Sequence, residues 1–134
     1  MTYDEILAEA RTLTREDRKR LALAIADRAV LAAAARRDFD ARMRYNALRR
    51  SACHAAGIEA LDADKKRASV WARYCVMYAM RLEGFSLPQI GAALGRDHST
   101  VSHGIRMMET ALAMQSQYRQ EAALWAKVRE EMQV

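Results

Sequence analysis

Apolar side chains recur every three or four positions along most of this chain, and only short polar stretches interrupt them. Such spacing predicts a string of amphipathic helices. Residues 1–56 contain neither glycine nor proline, so nothing in that stretch forces a break. Thr2 with Glu5 and Thr14 with Asp17 each set a hydroxyl three residues before a carboxylate, the pattern that satisfies orphan amides at a helix start. They predict a short helix over about 3–12 and a longer one over about 15–50. On the longer helix Leu21, Ile25, Ala29 and Ala32, then Phe39, Met43 and Ala47, predict an apolar face opposite an arginine-rich one.

Gly57 is the first break. Beyond it Ile58 and Leu61 suggest a short helix, the polar DADKKRAS a turn, and residues 69–83 the next helix, with Gly84 as its cap. In FSLPQI, Ser86 and Gln89 form a capping box, Phe85 and Ile90 take the two hydrophobic staple positions, and Pro88 sits in the first turn, where no helical donor is lost. That helix ends at Gly95. Another starts at once, with Asp97 as N-cap and Val101, Ile105 and Met108 on its inner side. It continues or bends near Thr110 into a final helix, on which Tyr118, Ala122, Trp125, Val128 and Met132 make an apolar stripe expected to pack onto the domain.

At 134 residues the chain fits one domain, or a small domain with a helical extension. It is 51% hydrophobic and 29% charged, and alanine, leucine and methionine outweigh the β-branched residues, which favours an all-α fold. No apolar run reaches the ~20 residues a membrane span requires, and MTYDEILAEAR lacks the order of a signal peptide. The expectation is a soluble cytoplasmic protein. Cys53 and Cys75 are read as reduced, partly buried thiols. The net charge of +5 makes a polyanionic partner plausible. Most of the excess lies in residues 1–56, with 12 basic against 8 acidic side chains; RRDFDARMRYNALRR, from Arg36 to Arg50, alone has six arginines. It reads as either a solvated face with intrahelical ion pairs or a contact surface.

The densest chemistry is GRDHSTVSHGI, from Gly95 to Ile105. His98 and His103 are five apart, so on a helix they diverge by about 140° and cannot share one metal ion. Ser99 and Ser102 lack the strained elbow of a serine nucleophile, and the chain has neither a GxxxxGK[ST] nor a GxGxxG nucleotide loop. The expectation is therefore no enzyme, metal, cofactor or nucleotide. The spacing fits a helix-turn-helix: Gly91 where the helices approach, Gly95 at a turn needing positive φ, Ile90, Leu94, Val101 and Ile105 facing inward. Asp97, His98, Ser99, Ser102 and His103 are left outward on the part of a recognition helix that enters a major groove.

From about Gly57 to Met108 the sequence resembles the C-terminal DNA-binding domain (domain IV) of the bacterial replication initiator DnaA, whose signature has the form SLPxIGxxFGGRDHTTVxHAxxKI. The corresponding stretch is SLPQIGAALGRDHSTVSHGIRMM, preceded by the basic Lys65, Lys66 and Arg67 and by VMYAM. The resemblance implies base reading by Asp97, His98 and Ser99, with Arg96 and Thr100 at the DNA backbone and Lys65 to Arg67 as a basic loop. Three departures are visible. One glycine of GGRDH is missing, so the turn is a residue shorter; Ser99 replaces a threonine and its methyl; and Val70 or Trp71 stands where the family has a minor-groove arginine, a role left to Arg67 or Arg73. The initiator's ATPase portion has no counterpart in these residues.

The expected organisation is an N-terminal helical extension (1–56), a DnaA-like helix-turn-helix unit (57–110) and a closing amphipathic helix (111–134). The expected function is sequence-preferring binding of double-stranded DNA, in replication or transcription control, in a bacterium, phage or mobile element. Asp97, His98, Ser99 and His103 would read bases; Lys65, Lys66, Arg67, Arg73, Arg96 and Thr100 would hold the backbone. The alternative is a helical adaptor of the replication machinery that no longer reads DNA, binding a protein partner or a second copy through residues 15–50 or 111–134.

Overall fold

A computed structural model describes residues 2–12, 14–61 and 66–132, and among them it contains helices and no strand. The helices are α1 (Tyr3–Thr12), α2 (Arg15–Ala56), α3 (Arg67–Leu82), α4 (Leu87–Leu94), α5 (His98–Ala113) and α6 (Arg119–Met132). The all-α expectation holds. The chain divides into two compact units, Met1–Arg36 and Arg37–Val134, and α2 contributes to both.

In the first unit both expected caps form. Thr2 and Glu5 exchange backbone-to-side-chain hydrogen bonds of 3.1 and 3.3 Å, and the Asp17 amide donates to the Thr14 hydroxyl at 3.2 Å. Every described side chain from Thr2 to Arg36 is exposed.

The second unit is built around α3, which buries Trp71, Ala72, Cys75, Val76, Met77, Ala79 and Met80. Helices α4, α5 and α6 pack on it, bringing Ile90, then Val101, Ile105, Met108 and Ala111, then Trp125, Val128 and Met132 into one core. Burial pushes the Cys75 thiol up to about 12, leaving it protonated at neutral pH. The α6 stripe is thus spent on the domain, Trp125 meeting Tyr78 edge-on at 5.0 Å. From α2 the core receives Ala41, Leu48 and Ala52, with Tyr45 half-buried between them. This is not the face that the sequence suggested. Phe39 and Met43 lie 63% and 54% exposed. With bulky Trp71, Met77, Met80 and Met108 already in the core, the face of α2 that closes it sets small Ala41 and Ala52 on either side of one large side chain, Leu48.

The arginine-rich stretch is partly structural. Arg37 donates to the Gly84 carbonyl at 3.2 Å and Arg44 pairs with Glu83 at 2.6 Å, tying α2 to the end of α3, while Arg49 lies over Tyr45 of its own helix. At Gly57 the chain leaves α2 through paired hydrogen bonds, Ile58 amide to Cys53 carbonyl and Gly57 amide to His54 carbonyl. Ile58 and Leu61 are half-buried but not helical, so the short helix expected there is absent. The apolar side chains that suggested a helix instead plug the core's edge from irregular backbone.

Candidate nucleic-acid interface

The site begins with a well-determined start to α4. Ser86 and Gln89 satisfy one another, the Gln89 amide donating to the Ser86 hydroxyl at 3.3 Å and the Ser86 amide to the Gln89 side-chain oxygen at 3.0 Å. Ile90 is fully buried and Phe85 packs against the same core, so the staple residues set the entry angle of α4. Eight residues later α4 ends at Gly95, whose φ of 68° is the left-handed conformation that glycine adopts without penalty. The Arg96 amide then donates back to the Gly91 carbonyl at 2.8 Å. A Cβ at Gly91 would lie 2.5 Å from the Arg96 carbonyl oxygen. The turn can close this tightly only because residue 91 has no side chain.

Asp97 caps α5. Its Oδ1 accepts the Thr100 amide at 2.8 Å and the Ser99 hydroxyl at 2.7 Å. The Ser99 hydrogen bond, followed by the Thr100 amide, holds the Asp97 carboxyl at about 2, below its ordinary 3.8. Replacing Ser99 with alanine removes the larger of these causes, so the Asp97 carboxyl is expected to titrate closer to its ordinary value in an NMR pH titration. An unchanged midpoint would refute the assignment. Because the folded-state value is depressed, the cap's contribution to stability is complete above about pH 3.8 and is lost as pH falls toward about 2.

Val101, Gly104, Ile105 and Met108 anchor α5 from inside, which leaves the opposite side of its first turns in solvent. Asp97, His98, Ser99, Thr100 and His103 are exposed there. His103 also meets Tyr74 of α3 edge-on, with ring centres 6.0 Å apart. Arg96 is half-buried at the turn. The sequence reading passed over Arg106, which is exposed three residues after His103 and seven after Ser99, on the same stripe. Carrying the helical projection one turn further would have found it.

The basic loop is described less completely. Lys65 lies outside the described residues, and Lys66 is exposed at the N-cap of α3. Arg67 has an exposed guanidinium paired with Glu121 of α6, a carboxylate only 4% exposed. Part of its charge is therefore committed within the protein. Arg73 is half-buried. Trp71 is in the core, edge-on to Tyr74 at 5.3 Å, so the indole cannot reach outward in the place of the family's arginine.

Among the described residues no group of three or more His, Cys, Asp or Glu side chains could hold a metal ion, and no helix is long and apolar enough to cross a membrane. Comparison with known proteins matches residues 55–108, about two-fifths of the chain, to the bacterial DnaA protein helix-turn-helix family. No solved structure matches the chain.

Proposed function

We propose, from the match of residues 55–108 to the bacterial DnaA protein helix-turn-helix family, that this protein binds double-stranded DNA with sequence preference by inserting the start of α5 into the major groove. The observation that carries the reading is the exposed tip. A tight glycine turn presents Asp97, His98 and Ser99 on a helix end whose other face is locked into the core. Asp97 spends one carboxylate oxygen on the cap, while its second oxygen and the Ser99 lone pairs remain acceptors for amino groups on cytosine or adenine edges. His98 and His103 extend the reading surface, and Lys65, Lys66, Arg67, Arg73, Arg96 and Thr100, with Arg106 added, supply contacts to phosphate. The role served is regulation of replication or transcription.

The test is to select preferred duplexes from a random pool, then to compare the selected and scrambled duplexes by anisotropy across a salt series. Wild type is expected to prefer the selected duplex and to weaken as salt rises. His98→Ala is expected to lose about 10- to 100-fold on the selected duplex with little change on the scrambled one. Lys66→Ala is expected to weaken both and to lower the salt slope by roughly 0.9. Absence of salt-dependent binding to either duplex would favour a protein-interaction adaptor instead, and equal binding to both would remove the claim of base reading.

A further inference from the structure

Leu21 to Ala35, LALAIADRAVLAAAA, is apolar around its whole circumference apart from Asp27 and Arg28. Helices of that composition are normally buried on all sides. Here Leu23, Ile25, Val30 and Leu31 are 55–69% exposed. Leu23 and Val30 lie on one side of α2 with Leu31 beside them, while Ile25 lies near the opposite side. The short helix α1 adds exposed Tyr3 and Ile6, and its ten residues are below the ~12–15 at which an isolated helix begins to hold in water.

We propose that residues 3–36 associate with the same residues of a second copy of this chain, through a two-fold interface centred on Leu23, Val30 and Leu31. Charge supports a self-complementary pairing. Helix α1 carries three acidic residues against one basic, whereas Arg15 to Arg36 carries six basic against three acidic. Under a two-fold axis the acidic α1 of each copy faces the basic segment of the other, and the same contact is made twice.

Sedimentation equilibrium on the full chain tests the proposal. The wild type is expected at twice 15.2 kDa at tens of micromolar, dissociating on dilution. Leu23→Glu combined with Val30→Glu is expected to sediment as one chain at the same concentration, its dimer Kd raised roughly 100-fold or more. Both residues are mostly exposed within the chain, 65% and 68%, so the substitutions remove little intramolecular burial; an unchanged far-ultraviolet spectrum at high dilution checks this. Mixed tagged and untagged wild-type chains are expected to co-purify, giving a readout that needs no variant. A wild-type mass of one chain up to hundreds of micromolar, an assembly larger than two, or a variant that still pairs would each overturn it.

Discussion

Gly91→Ala is expected to destabilise the protein by about 3 kcal/mol, near the upper end of ordinary overpacking costs, and to lower the midpoint of thermal unfolding by roughly 10 to 20 °C. The added methyl would meet the Arg96 carbonyl oxygen at 2.5 Å, with the Asp97 carbonyl carbon at 3.5 Å behind it. These are backbone atoms at the start of α5, so relief requires the whole turn to open. Opening it breaks the 2.8 Å bond from the Arg96 amide to the Gly91 carbonyl. Gly104→Ala is the instructive comparison. Its methyl would meet the Met77 sulfur at 2.6 Å and the Tyr74 ring at 2.7 Å, both side-chain atoms. A methionine can change rotamer where a backbone cannot, so the expected cost is about 1 to 2 kcal/mol. Calorimetry on the two variants should rank Gly91→Ala as the worse. The reverse order would mean that α3, not the turn, is the rigid partner of α5.

That contrast marks what the sequence could convey. Glycine at the turn, serine with glutamine at the start of α4 and aspartate at the start of α5 were all readable because each acts on backbone within five residues of itself. Contacts between residues far apart in the chain were not. Nothing in the residues around Glu121 marks it, yet it is buried against Arg67, 54 residues earlier, and takes up part of a cation assigned to DNA. The pattern on α2 was ambiguous because alanine and leucine occur on several sides of it. Phe39 and Met43 are large and apolar, yet the core takes Ala41, Leu48 and Ala52, which share one face of α2. Gly104 stands where the DnaA signature has alanine, and only the positions of Tyr74 and Met77 show what fills the space. Arg106 lies within the DnaA-like stretch but outside the RDHST segment on which the resemblance places the DNA contacts.

Inserting one glycine between Gly95 and Arg96, which restores the two glycines of the DnaA signature, is expected to leave the fold intact and change the DNA sequence that is selected. The body of α5 is held by Val101, Gly104, Ile105 and Met108, all behind the turn, so an extra residue has no reason to dislodge it. The turn itself must change. Arg96 can no longer donate to Gly91 through a single left-handed residue, and its carbonyl leaves the seat that Gly91 provides. An inserted residue spans up to ~3.8 Å, whereas a recognition contact tolerates about 0.5 Å. Asp97, His98 and Ser99 then meet the groove at a different depth and angle. Affinity for the site preferred by the natural chain is expected to fall toward the non-specific level, a loss of about 1000-fold or more, while binding to scrambled duplex and its salt slope change little, because of the cations assigned to phosphate only Arg96 lies in the altered turn. Parallel selections from one random pool with the natural and lengthened proteins would decide the matter. Two different consensus sequences would show that the length of this turn aims the helix; a shared consensus would show that the aim is set by the packing of α5 on α3.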